Sequence, residues 1–309
     1  MANREQLLQE IQSWGQQNPG LSPLDGIRKQ KLEALKSLTG RPILVYAVDF
    51  LNPVKQQAGS LLSINLADKD HFEEIAQGIS GNAIDLLIHS SGGSAEATES
   101  IVALLRSRFS DIRVLVPGTA KSAATMLAMS ANQLLLDHLS ELGPTDPQMV
   151  ITGRVSPSGA ILKQFEKAET DLRTDPTKIT AWLPVLQQYG PSILIECQNH
   201  LALSKNLVGA WLAKYMFADD PDRQLRADEI ASWLADDSNF LSHSRRIGVK
   251  ELQEKGVKLL DLQTQPELRD IVRQLYLAIM LTFESSACFK LFENSEGVLV
   301  SLNIMLQAV

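Results

Sequence analysis

Ile84-Asp85-Leu86-Leu87-Ile88-His89-Ser90-Ser91-Gly92-Gly93 opens the stretch that decides the fold, which runs on to Gln148. An apolar run, 84–88, leads into a glycine turn. The pattern returns at once: the apolar run 112–116 leads into Gly118-Thr119-Ala120-Lys121-Ser122-Ala123-Ala124-Thr125, with a serine where a helix should begin. A third apolar run, 133–136, precedes Gly143-Pro144-Thr145-Asp146-Pro147-Gln148. Short apolar runs alternating with helical patterns predict an α/β fold with a mostly parallel sheet under helical cover. In such sheets the loops at the carboxyl ends of the strands form the site. Gly92, Gly93, Ser122 and Asp146 all fall in or just past such loops.

Working outward, 5–14 and 24–38 read as helices of an N-terminal arm, and 43–48 as a strand buried on both faces. A polar connection covers 52–60. Residues 68–79 read as a helix capped by Asp68, and 95–108 and 122–130 as the helices after the first two loops. Beyond Gln148 the pattern becomes helical: 158–173, a linker at 174–178, then 191–215, and 227–235 capped around Asp228. A loop at 242–248, a short helix at 250–255 and a strand at 257–262 follow. A long helix is expected over 266–292, and the apolar end 298–306 reads as a strand or a partner-facing segment.

The bulk numbers exclude several classes. At 309 residues the chain can bury a sizeable core. A net charge of -7, with no dense basic stripe, argues against nucleic acid as partner. Cys197 and Cys288 have no metal-ligand spacing and read as buried free thiols in helical patterns, so neither a metal nor a cofactor is called for. No apolar run is long enough to span a bilayer, and the first residues carry no signal-peptide core. The expectation is a soluble cytoplasmic protein.

A serine hydroxyl is a poor nucleophile near neutral pH and needs a base and donors for the developing oxyanion. Ser122 begins a helix behind small residues, so the Ala123 N–H is a natural oxyanion donor. The Gly92-Gly93 turn can offer further N–H groups, because glycine has no Cβ to obstruct them. Either motif alone fits an ordinary cap or turn. Together, at successive strand ends, they point to acyl-transfer chemistry.

These residues resemble the Clp-fold serine peptidases, a branch of the crotonase-like superfamily that includes signal peptide peptidase A. The match is closest to the serine dehydrogenase proteinase family, whose members typically show His-Thr-Pro-Gly-Gly, Ala-Met-Ser-Gly/Ala-Gly-Thr and Gly-Pro-Val/Ile-Asp-Pro-Gln. Here the corresponding segments are His89–Gly93, Ala120–Thr125 and Gly143–Gln148. Ser91 stands where proline is usual, Lys121 where methionine is, and Ala124 where glycine is, which narrows the space beside Ser122. The resemblance implies a Clp/crotonase-like repeated β-β-α superhelix over 41–262, with a helical insertion at about 158–235. Residues 1–40 would be an arm, and 263–309 a C-terminal helix and tail forming an oligomer interface. It further implies a peptide or protein substrate and assembly into homo-oligomeric rings.

The base is less legible. Of the five histidines, His71 reads as solvated, His200 as structural, His138 as part of a surface turn and His89 as a brace for the glycine loop. His243 precedes a segment resembling one that follows the triad aspartate of Clp-type peptidases, while Asp146 falls roughly where their histidine would. The two residue types are thus present with positions exchanged, and a triad depends on geometry rather than chain order. A Ser–Lys dyad is the rival, with Lys163 as the alternative base and Lys167 and Lys121 nearby. A lysine serves only if desolvated enough to lose its proton. The sequence therefore points to a serine endopeptidase with Ser122, His243 and Asp146 as catalytic residues and Gly92, Gly93 and Ala123 as oxyanion hole. Two other readings stay open. One is a Clp-fold scaffold that binds peptides without cutting them. The other is an acyl-CoA enzyme of the wider superfamily, against which stand the Ser122 turn and the lack of an evident basic pocket.

Overall fold

A computed structural model describes residues 4–304 and divides into two compact units, residues 1–142 with 247–309, and residues 143–246. In the first unit the arm helices are α1 (Arg4–Gln17) and α2 (Pro23–Thr39). Then come β1 (Ile43–Val48), a 3-10 turn at Lys55–Leu62, α3 (Asp68–Ala76), β2 (Ala83–His89), α4 (Ala95–Arg108) and β3 (Asp111–Val116). A two-residue strand β4 (Thr119–Ala120) leads to α5 (Ala123–Met129), and β5 (Gln133–Leu136) is followed by β6 (Glu141–Leu142).

The second unit holds the hairpin β7 (Gln148–Ile151) and β8 (Arg154–Pro157), then α6 (Ser158–Thr174), α7 (Ile179–Leu186), α8 (Ile193–Trp211) and α9 (Arg223–Ala235). The chain then returns to the first unit with α10 (Val249–Glu254), β9 (Leu259–Asp261), α11 (Pro266–Ser285), β10 (Cys288–Asn294) and β11 (Leu299–Asn303).

The main sheet has seven strands in the order β11-β10-β1-β2-β3-β5-β9. Strands β1, β2, β3, β5 and β9 are mutually parallel, and β10 and β11 pair antiparallel at one edge. The expected mixed α/β architecture with a mostly parallel sheet is therefore present. Its central strands are apolar because helices cover both faces: all of Ile43–Val48 is buried. One face packs on α2 and α11 through Leu32, Leu35, Val45, Leu115, Leu275 and Phe283. Each such side chain contributes about 1.5–3 kcal/mol by leaving water.

The carboxyl ends of the strands carry a second, short layer of pairing. Ser90 bridges Ala120, β4 runs parallel to β6, and Leu142 bridges Ile247. This layer holds the loops after β2, β3 and β5 side by side.

Several expectations need correction. The helix expected over 266–292 stops at Ser285, and Cys288–Asn294 is a buried strand paired with β1 in the register Tyr46↔Phe292. Cys288 therefore lies in a strand. The buried Lys290 and Glu293 broke the apolar pattern that would have betrayed it. Of the apolar end, β11 is a strand, while residues 305 and 306 lie outside the described residues. Asp68 is not a cap: Ala67 precedes α3, and the Asp68 carboxylate turns inward. Asp228 lies inside α9 rather than at its start.

Candidate active site

In the first unit the turn at Ser122 is made by backbone. Ser122 has φ 53 and ψ -124, a conformation that side-chain-bearing residues rarely adopt, and its hydroxyl makes no cap hydrogen bond to α5. Such strain costs of order 1–3 kcal/mol and persists only where the surroundings over-determine it. They do here. Lys121 N–H donates to the Ser90 carbonyl at 3.1 Å, Ala124 N–H to the Lys121 carbonyl at 2.9 Å, and Thr125 Oγ1 to the Ala120 carbonyl at 2.7 Å.

The glycine loop lies directly against this turn. A Cβ on Gly92 would sit 2.6 Å from the Lys121 carbonyl oxygen and 2.7 Å from Ser122 Cβ, so only glycine fits without displacing the serine. Gly93 is equally confined, since a Cβ there would meet the Ile64 backbone at 2.3 Å. Ile64 pairs with this segment as a strand would: its N–H donates to the Gly92 carbonyl at 2.8 Å, and its carbonyl accepts from Ser94 N–H at 2.9 Å. In a trans peptide the N–H points opposite to the C=O. Pinning the Gly92 carbonyl on Ile64 therefore aims the Gly93 N–H the other way. The Gly92 N–H is spent on Ser90 Oγ at 3.1 Å. The Ala123 N–H belongs to the first turn of α5, whose N–H groups have no partner within their own helix.

His89 sits behind this loop as a brace. Its Nδ1 accepts the Thr119 N–H at 3.3 Å, and its ring lies between Phe50 and Tyr276 at centroid distances of 5.1 and 5.2 Å. Burial lowers its pKa to about 4, against a smaller opposing pull from Asp49, so the ring is neutral near pH 7.

In the second unit His243 and Asp146 form a pair. His243 Nδ1 lies 2.7 Å from Asp146 Oδ1. An ionised carboxylate can only accept, so Nδ1 is the donor of this contact, and in a neutral ring the lone pair falls on Nε2. Asp146 is 1 % exposed in its side chain and His243 is 24 % exposed, so the carboxylate is buried and the imidazole partly accessible. The Asp146 loop is fixed from three sides. Gln148 Nε2 donates to Asp146 Oδ2 at 2.6 Å, Thr145 N–H donates to the Leu234 carbonyl at 2.8 Å, and Ser204 Oγ donates to the Thr145 carbonyl at 2.7 Å.

The candidate lysines each lie beside a carboxylate. Lys163 is half exposed and donates to Asp237 at 2.7 Å, and Lys167 is 69 % exposed beside Asp171. Lys121 lies 3.2 Å from Glu141. The remaining histidines differ little from expectation. His138 is exposed, with Nδ1 beside Arg269 at 3.1 Å, and His200 is half-buried in α8. His71 is not simply solvated, because its ring packs on Phe292 at 5.0 Å. Among the described residues no group of three or more His, Cys, Asp or Glu side chains could hold a metal ion, and no helix is long and apolar enough to cross a membrane.

Residues 64–185 match the family described as ClpP-like SDH-type serine proteinase, so the resemblance drawn from the three motifs is borne out over that segment. Two uncharacterized proteins of Methanocaldococcus jannaschii, MJ0137 and MJ1495, are 35% and 36% identical to this chain over 194 residues. Those matches cover 62% and 59% of this chain, and the chain spans 58% of the length of each relative. Among solved structures, a membrane-bound stomatin-specific protease in complex with a substrate peptide aligns at a TM-score of 0.40 and 17% identity, over 78% of this chain and 83% of that one. ClpP1 from Listeria monocytogenes aligns at 0.37 and 15%, over 78% and 98%.

Proposed function

We propose that this protein is a serine endopeptidase that cuts peptide bonds through an acyl-enzyme on Ser122. The observation that carries the reading is the Ser122 turn itself, strained and packed against Gly92 so closely that no Cβ fits. In the first step Ser122 Oγ bonds to the scissile carbonyl carbon while His243 Nε2 takes its proton. Asp146 holds the imidazole by Nδ1 and stabilises the imidazolium. The carbonyl oxygen becomes an oxyanion, received by the N–H groups of Gly93 and Ala123. Gly92, whose own N–H is engaged by Ser90, serves by its missing side chain. The imidazolium then protonates the leaving amine, the C–N bond breaks, and a water deprotonated by His243 hydrolyses the ester.

The rest of the reading follows the family. The substrate is an extended peptide or protein, the sheet with its short strand layer is one face of a repeated β-β-α superhelix, and copies assemble into rings. Light scattering on the purified protein tests assembly, a monomer at micromolar concentration being the contrary result. The chemistry is tested with a fluorophosphonate probe. Labelling of wild type and none of Ser122→Ala supports a serine hydrolase. No labelling of wild type supports instead a scaffold that holds peptides without cutting them.

A further inference from the structure

Beneath the glycine loop lies a buried polar chain that the reaction does not use. Lys290, Asp68, Tyr46 and Ser90 are all within 1 % of full burial. They come from β10, α3, β1 and the loop after β2, four elements far apart in sequence. The Lys290 ammonium donates to Asp68 Oδ1 at 2.9 Å, to Asp68 Oδ2 at 3.0 Å and to the Ser63 carbonyl at 2.9 Å. All three of its protons are therefore placed. Tyr46 Oη donates to Asp68 Oδ2 at 3.0 Å. Ser90 Oγ accepts the Gly92 N–H.

Gly92 N–H donates to Ser90 Oγ, and the Tyr46 O–H donates to the Asp68 carboxylate, whose charge Lys290 balances. Buried polar groups held this way are costly to disturb one at a time. The same ammonium also holds the Ser63 carbonyl, and the next residue, Ile64, pins the Gly92 carbonyl at 2.8 Å. Ser90 thus holds the Gly92 N–H, while Lys290, through Ser63 and Ile64, holds the Gly92 C=O. With both groups of Gly92 held, the plane of the Gly92–Gly93 peptide is set, and with it the direction of the Gly93 N–H. A buried lysine and aspartate are expensive to retain for stability alone, because an apolar pair of similar volume is often as stable.

We propose that Lys290, Asp68, Tyr46 and Ser90 are positioning residues that aim the Gly93 N–H at the oxyanion. The inference rests on the serine-peptidase reading, and its test separates the two. Three variants of the full chain are compared with wild type: Ser90→Ala, which removes the acceptor of the Gly92 N–H; Ser90→Thr, which keeps a hydroxyl; and Tyr46→Phe, which removes one oxygen from a buried ring. Peptide turnover, affinity for a peptide aldehyde and melting temperature are measured for each. The aldehyde adds to Ser122 and leaves its oxygen where the oxyanion would form, so its affinity reports the donors directly.

Ser90→Ala should lower kcat and weaken aldehyde binding together, by about tenfold, with KM within about twofold, because the donors act on the transition state alone. Tyr46→Phe should give a smaller loss of the same kind, and Ser90→Thr should recover most of what Ser90→Ala loses. The proposal is overturned if Ser90→Ala and Tyr46→Phe leave kcat and aldehyde affinity unchanged, or if both quantities merely follow melting temperature across the three variants. Wild type that neither turns over peptide nor binds the aldehyde would instead bring down the peptidase reading.

Discussion

The Ser122 turn of the first unit and the imidazole–carboxylate pair of the second are made of different material. The turn is backbone: a serine at φ 53, a glycine with no room for a Cβ, and N–H groups aimed by peptide planes. All of it lies within two short segments, 90–94 and 118–125, plus Ile64. The pair is side chain: two residues 97 positions apart, held by one 2.7 Å contact and a loop fixed by Gln148, Leu234 and Ser204. Backbone geometry tolerates substitutions that leave φ and the peptide planes alone, which fits the presence of Ser91 and Lys121 beside an intact turn. A side-chain pair fails when either partner changes chemistry, however well the loop is kept.

That contrast can be broken first where the effect is largest. Ser122→Ala should reduce peptide turnover by about 10⁴-fold or more, and Asp146→Asn by about 10⁴-fold, as expected for groups that act as a unit. The double variant should be no worse than Ser122→Ala alone. Additive losses in steady-state kinetics would mean that the two halves do not share a reaction.

The backbone half is probed by Gly92→Ala. Its new Cβ must displace the Lys121 carbonyl or Ser122, and kcat should fall by about 10²–10³-fold, the scale of a lost oxyanion donor. A variant that melts like wild type and keeps full activity would contradict the close packing described.

His89 provides a smaller effect, read in stability. Its folded pKa, about 4, lies below the 6.5 of the ordinary side chain because burial disfavours the cation. As pH falls below 6.5 the unfolded chain takes up this proton first, so stability is lost down to about pH 4 and no further. The loss between about pH 7 and about pH 5 should be about 2 kcal/mol. His89→Asn, which keeps an acceptor near Thr119 but does not titrate there, should lack that increment in urea unfolding. Equal acid sensitivity in the two proteins would show that His89 is not held neutral.

The smallest effect is expected at Lys163. Its ammonium is half exposed and paired with Asp237, so Lys163→Met should leave kcat/KM within about twofold. A collapse of activity would restore the lysine dyad and remove His243 from the reaction.

These contrasts also explain what could be read before folding. The strand–turn–helix runs at Ala83–Gly93 and Asp111–Thr125 declare themselves because a parallel strand is apolar throughout and its turn needs glycine or a small residue. The Ser122 turn and the glycine loop beside it were accordingly legible. The His243–Asp146 pair could be nominated only through a family resemblance, since no periodicity links residues so far apart. Strand β10 was misread as the end of a helix because its Lys290 and Glu293 look like a solvated face. Both charges are buried, with partners in α3 and α2. For the same reason the positioning chain beneath Gly92 was invisible. Tyr46 reads as one more core residue and Asp68 as a cap. The one local signal was a lysine inside the run Cys288-Phe289-Lys290-Leu291-Phe292, which a buried strand admits only with a buried acid opposite.

The most direct test is mass spectrometry of the full-length protein after reaction with a fluorophosphonate, with the modified peptide sequenced. The account predicts a single adduct on Ser122, absent from Ser122→Ala and formed far more slowly in His243→Ala. No adduct on wild type, or an adduct on another residue that persists in Ser122→Ala, would contradict it.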